Sequence, residues 1–186
     1  MTRPIRILGI AGSLRRGSYN RAALRAATQL APKGAAVETF ELDGIPPFNQ
    51  DEEQNPTAKV AELKKRLREA NVILFVTPEY NWSVSGVLKN AIDWALRPHG
   101  DSAWNGKPAA IMGASTGAIG TARAQNHLRQ ILVYLNMFPI NQPEVLISHA
   151  MDRFDQEGNL TDAPTRDRII ELLQNLVDWA RRIGPK

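Results

Sequence analysis

The run at residues 71–77, NVILFVT, constrains the fold of this 186-residue chain more than any other stretch. It carries no charge and shows no polar alternation, so a strand here has no face to turn toward water. Such a strand must be covered on both sides, which places it at the centre of a largely parallel sheet with helices above and below.

The rest of the chain supplies those layers. Apolar runs that read as strands recur at Ile5–Ala11 (IRILGIA), 37–42 (VETFEL), 108–115 (PAAIMGAS) and 143–149 (PEVLISH). Between them lie segments with helical periodicity at 18–31, 57–70, 83–96, 121–135 and 164–182. Strict alternation of this kind predicts an α/β doubly wound parallel sheet of five strands, with flavodoxin-like order 2-1-3-4-5 and helices on both faces. Internal repeats, low-complexity tracts and a linker are all missing, so residues 1–186 are expected to form a single domain.

In a sheet of that order, ligands bind beyond the carboxyl ends of the strands, where the order reverses between the first and third. The loops after strands one, three and four therefore matter most. They read GSLRRGSYN, PEYNWSVSG and GASTGAIG, and they are also the most unusual stretches of the chain. In the first, Ser13, Ser18 and Asn20 supply side-chain donors and Arg15 a guanidinium. The helix that follows directs free N–H groups and a partial positive charge at an anion. No lysine follows Gly12-x4-Gly17, as a nucleoside triphosphate loop requires, and no G-x-G-x-x-G is present. A simple helix cap with solvated arginines is the competing reading. In the second loop, Pro78 ends the strand, and Glu79, Tyr80, Asn81 and Trp82 set two aromatic surfaces beside main-chain amides, a berth for a flat polar ring. The third offers small residues and glycines that permit close approach of the main chain.

The chain has no cysteine, which removes disulfides, thiolate nucleophiles and zinc–sulfur sites from consideration. Its 23 Lys and Arg against 19 Asp and Glu give a net charge of +4. These cations are scattered, without the interleaved aromatics of a nucleic-acid surface, so no nucleic-acid partner is expected. The stretch KKRLRE at 64–69 reads as a solvated helix face and RRIGPK at 181–186 as a helix end matched to its dipole. No run approaches the ~20 apolar residues of a membrane span. No signal peptide is recognisable at residues 1–9. The expectation is therefore a soluble cytoplasmic protein. His99, His127 and His149 read as structural or solvated, and neither a catalytic triad nor a metal-ligand cluster is apparent.

Taken in order, GSLRRGSYNR, PEYNWSVSGVLKNAIDWALRP, WNGKPAAIMGAS and GTARAQNHLRQIL resemble the NADPH-dependent FMN reductase family, which includes quinone, chromate and azo-dye reductases. The resemblance spans residues 5–144. It implies FMN bound non-covalently, its phosphate held by Ser13, Arg15, Ser18 and Asn20, with Tyr19 also among the cofactor-binding residues. The isoalloxazine would rest on Pro78, Glu79, Tyr80 and Asn81, with Ser115, Thr116 and Gly117 on the far side. It also implies NADPH or NADH as co-substrate, ping-pong transfer to small acceptors, and a homodimer or homotetramer. The flavin would carry the chemistry, so no catalytic side chain is assigned. Arg123, Asn126 and Glu144 become candidate interface residues. Asn126, often aromatic in the family, and the bulky Trp82 depart from its pattern, and Trp82 is expected to reshape the acceptor pocket. Two rivals compete with this reading. A flavodoxin-type electron carrier would hold FMN without oxidising nicotinamide, although such carriers tend to be acidic. A hydrolase using Ser13 would need a base within reach of it, and none is evident in the sequence.

Overall fold

The expected central strand exists, and all of its residues are buried in a computed structural model of the chain, which describes residues 4–183. The strands are β1 (Ile5–Ala11), β2 (Ala35–Phe40), β3 (Val72–Val76), β4 (Pro108–Ala114), β5 (Phe138–Pro139) and β6 (Val145–Ile147). The helices are α1 (Tyr19–Gln29), α2 (Ala58–Glu69), α3 (Gly86–Leu96), α4 (Ala122–Tyr134) and α5 (Ala163–Ile183). The sheet is parallel throughout and runs β2-β1-β3-β4-β5, with β6 also pairing with β4.

Side-chain alternation along the strands divides the core. Ile7, Leu74 and Met112 face the layer formed by α1 and α5, where they meet Ala23, Leu24, Ile169 and Leu173. Leu8, Ile10, Ile73, Phe75 and Ile111 face α2, α3 and α4, where they meet Leu63, Leu67, Leu88, Ile92 and Leu128. Three helices begin where the side-chain oxygen of the cap residue satisfies free N–H groups: Ser18 for α1, Thr57 for α2 and Ser85 for α3.

The strand expected at 143–149 is present as the shorter β6, and an additional two-residue strand, β5, precedes it along the same edge of β4. Pro139 and Pro143 explain the break between the two, because neither can donate an N–H to the ladder. Phe138 and Ile140 donate to Lys107 and Ala109, the chain bulges away, and pairing resumes at Val145.

The charged run at 64–69 is likewise not wholly solvated. Lys64 is buried on the inner side of α2 beside Leu63 and Leu67. Its ammonium donates to the Arg97 carbonyl and to Asp101 Oδ2 at 2.7 Å. That bond, with help from Arg68, holds the Asp101 carboxyl below the usual carboxylate range. Lys65 and Arg68 are exposed as expected. Arg181 and Arg182 close α5 as its dipole favours, while residues 184–186 of that tail lie outside the described residues. Among the described residues no helix is long and apolar enough to cross a membrane.

One glycine fixes the carboxyl edge. A Cβ on Gly113 of β4 would lie 2.2 Å from Thr121 Oγ1 and 2.3 Å from the Thr77 carbonyl oxygen. The strand end, the loop after β3 and the start of α4 therefore meet with no room for a methyl group. Gly113→Ala should destabilise the protein by about 1–3 kcal/mol, read as a lowered midpoint in urea with an unchanged slope.

Candidate functional site

The turn after β1 prolongs the sheet before it opens. The Gly12 N–H donates to the Val76 carbonyl at 2.9 Å, so the first loop starts from the β1–β3 pairing itself. A Cβ at Gly12 would crowd Ser85 Oγ at 3.0 Å and Pro78 Cδ at 3.1 Å, which shows how closely this loop is pressed on the one after β3. Ser13 and Ser18 are buried in the turn. Ser18 Oγ accepts from the Asn20 and Arg21 N–H groups and caps α1, yet its hydroxyl can still donate outward. No acidic residue occupies the first turn of α1, so the helix end stays electropositive.

Asn20 does something the sequence alone did not reveal. Its Nδ2 donates to the Ala114 carbonyl and its Oδ1 accepts the Ala114 N–H, both at 2.9 Å. The side chain expected to hold a phosphate instead locks the start of α1 to the end of β4. Arg15 folds back over the loop, its guanidinium 5.8 Å from the Tyr19 ring, and Tyr19 packs on Phe154.

In the loop after β3, Glu79 is also committed to the protein. Its Oε2 accepts the Arg123 and Ala124 N–H groups, and its Oε1 accepts from the Arg123 guanidinium at 3.1 Å. The cap residue of α4, Thr121, sits at φ 73° and makes no side-chain cap bond, so Glu79 caps that helix from another loop. Charge and hydrogen bonding both favour a carboxylate there. Tyr80 and Ser83 exchange backbone hydrogen bonds of 3.0 Å in each direction, closing a tight turn over Asn81 and Trp82. Ser83 Oγ also bonds His127 Nδ1 at 2.7 Å, so His127 ties this turn to α4, a pairing invisible in sequence because 44 residues separate the two. His99 and His149 are exposed, in keeping with the solvated role read from the sequence.

The loop after β4 is latched from outside. Ser115 Oγ accepts the Gly117 N–H at 3.1 Å, the Ser115 N–H reaches the Ile147 carbonyl, and the His149 N–H reaches the Gly117 carbonyl.

These three loops enclose one cleft of about 200 Å³. Its walls bring together Ser13, Arg15, Ser18, Tyr19, Asn20, Pro78, Glu79, Tyr80, Ser115 and Thr116, with Ala114 between them. Asn81 and Gly117 belong to the same loops but do not line it. The donor set suits a ligand with one anionic end and a flat polar ring. Hydroxyls, a guanidinium and a helix N-terminus gather at one side, and a proline, a tyrosine and loop backbone at the other. A larger cleft, of about 540 Å³, lies along β6 and the start of α5 and shares none of these residues. It does not stand at the strand-order reversal and lacks the loop chemistry described above.

Comparison with known proteins agrees with this geometry. Residues 5–152 match the family described as NADPH-dependent FMN reductase. An NAD(P)H-dependent FMN reductase of Pseudomonas aeruginosa is 51% identical over 185 residues, covering 98% of this chain and 99% of the relative. A 2-hydroxy-1,4-benzoquinone reductase of a Burkholderia species is 42% identical, covering 95% of this chain and 97% of its own. Among solved structures, a flavoenzyme NAD(P)H:(acceptor) oxidoreductase from Paracoccus denitrificans superimposes with a TM-score of 0.89 at 33% identity, covering 97% of this chain and all of the other.

The role of Glu79 is testable without any ligand. Glu79→Ala should lose about 1–2 kcal/mol of stability through the uncapped α4 terminus. Thermal unfolding should show Tm lower by a few degrees, and Glu79→Gln should recover part of that loss.

Proposed function

Because this chain belongs to the NADPH-dependent FMN reductase family, we propose that it is an FMN-containing oxidoreductase that takes hydride from NADPH or NADH and passes electrons to quinones. One observation carries this reading. The donor-rich turn after β1 and the ring-sized berth after β3 open into one cleft at the strand-order reversal. Ser13, Ser18, Arg15 and the α1 N-terminus would receive the phosphate. Pro78 and Tyr80 would support the ring, with Ser115 and Thr116 opposite. Glu79 would act by holding its loop against α4 rather than by touching the ring with its carboxylate, and Asn20 by fixing the socket.

FMN, when bound, supplies the hydride chemistry. The chain positions both partners in turn at one exposed ring face, which makes ping-pong kinetics the expected pattern. Main-chain N–H groups of the loops after β3 and β4 would favour negative charge on the reduced ring. Chromate, azo dyes and free flavin are further acceptors in this proposal, since an open site selects weakly among small oxidants.

A homodimer or homotetramer in the cytoplasm belongs to the same proposal. Asn126, Val133 and Tyr134 lie exposed on α4, close in sequence to Arg123, and a cysteine-free chain suits a reducing compartment.

The test is spectroscopic. Purified protein loaded with FMN should show flavin absorption that bleaches anaerobically on adding NADPH and returns on adding a benzoquinone. A flavin-loaded protein that never bleaches would instead be an electron carrier, and the proposal would fall.

A further inference from the structure

The turn that follows Tyr80 is built on backbone that side chains avoid. Asn81 and Trp82 both have positive φ, 49° and 69°, between the paired residues Tyr80 and Ser83. Turns with two such central residues favour Asn-Gly, because glycine alone is free of Cβ strain in the second place. Asparagine stands where expected, but tryptophan occupies the position that glycine fills at least cost. The strain does not serve the core, since the Trp82 ring is 70% exposed. A bulky, exposed residue in a strained conformation two positions after Tyr80, which lines the cleft, points to function rather than packing.

The ring is also held still. The Arg123 guanidinium lies 4.1 Å from its centre and covers one face. Arg123 is fixed in turn by Glu79, which also caps α4, and the turn is tethered to the same helix by the Ser83–His127 bond. With one face covered and most of the side chain exposed, the indole presents an open, electron-rich surface next to Tyr80, a residue that lines the cleft.

We propose that Trp82, clamped by Arg123, is a stacking shelf that selects flat, electron-poor ring acceptors such as quinones over acceptors without a ring. The proposal rests on the flavin-reductase reading above. Offset stacking between an electron-rich indole and an electron-poor quinone favours capture of the acceptor before electron transfer. An inorganic oxidant such as ferricyanide has no ring face to stack and gains nothing from the shelf.

The variant that tests this is Trp82→Gly, because glycine suits the turn better than the native residue. Relief of strain offsets the lost guanidinium stacking, so Tm should be nearly unchanged. Under ping-pong kinetics the acceptor's kcat/KM reports only the oxidative half-reaction, so kcat/KM for ferricyanide, which has no ring to stack, should match the wild type whatever the variant does to the NADPH step. With a benzoquinone, kcat/KM should fall roughly five- to tenfold, mostly through KM. Trp82→Phe should restore most of it. Undiminished quinone kcat/KM in Trp82→Gly would overturn the shelf. So would an equal loss with quinone and ferricyanide, or a change in particle size on gel filtration, either of which would assign the ring a structural role. If wild-type protein fails to bleach with NADPH, the underlying flavin reading fails first, and the shelf with it.

Discussion

The site depends on a buried pair of hydrogen bonds between Asn20 and the Ala114 backbone. Strands β1 and β3 are neighbours, and the chain leaves them toward opposite faces, to α1 on one side and α3 on the other. That divergence opens a crevice at the carboxyl edge, as the topology requires. A crevice with unanchored walls would be three loose loops. Asn20 reaches past β3 to the end of β4 and fixes the first turn of α1 against it. The helix N-terminus and the serines of the turn are thereby aimed into the crevice. Because both amide atoms of Asn20 are used, the side chain satisfies two backbone groups that would otherwise be buried without partners.

A second anchor acts on the opposite wall. Glu79 stands in the loop proposed to support a flat ring, yet its carboxylate serves α4. The exchange is economical in physical terms. Helix α4 begins at a left-handed Thr121 without a cap of its own, and the neighbouring loop needs a tether. One carboxylate supplies both, and the resulting Arg123 position extends the tether to Trp82. The site is rigid because its polar residues bind each other's elements, which leaves hydroxyls, a guanidinium and main-chain amides free for a ligand. A cofactor with its own reactivity asks for that kind of host.

The layers and strand order were legible because they rest on local pattern. The apolar runs in β1 and β3, the alternation at residues 37–42 and the 3.6-residue stripes on α3 and α5 each point one way. The division of the sheet edge into β5 and β6 was less legible. Its prolines announce a missing donor, but only pairing with Lys107 and Ala109 shows where the ladder pauses. Lys64 was misread because its charge outweighed its place on the inner stripe of α2, and Asp101, 37 residues away, provides the partner that makes burial tolerable. In the site, the three loops that meet at the cleft were legible from their place in the topology and their composition, while the hydrogen bonds that tie them together were not. Asn20, Glu79 and His127 act across long separations in sequence, and no local signal marks a side chain as a tether rather than a ligand.

The central claim is that the turn at residues 12–21 is a socket for the terminal phosphate of FMN. Titrating a Ser13→Ala, Arg15→Ala double variant with FMN and with riboflavin, which lacks the phosphate, tests it directly. The account predicts FMN affinity lowered at least tenfold, with riboflavin affinity close to that of the wild type. Unchanged FMN affinity, or equal losses for the two flavins, would contradict it.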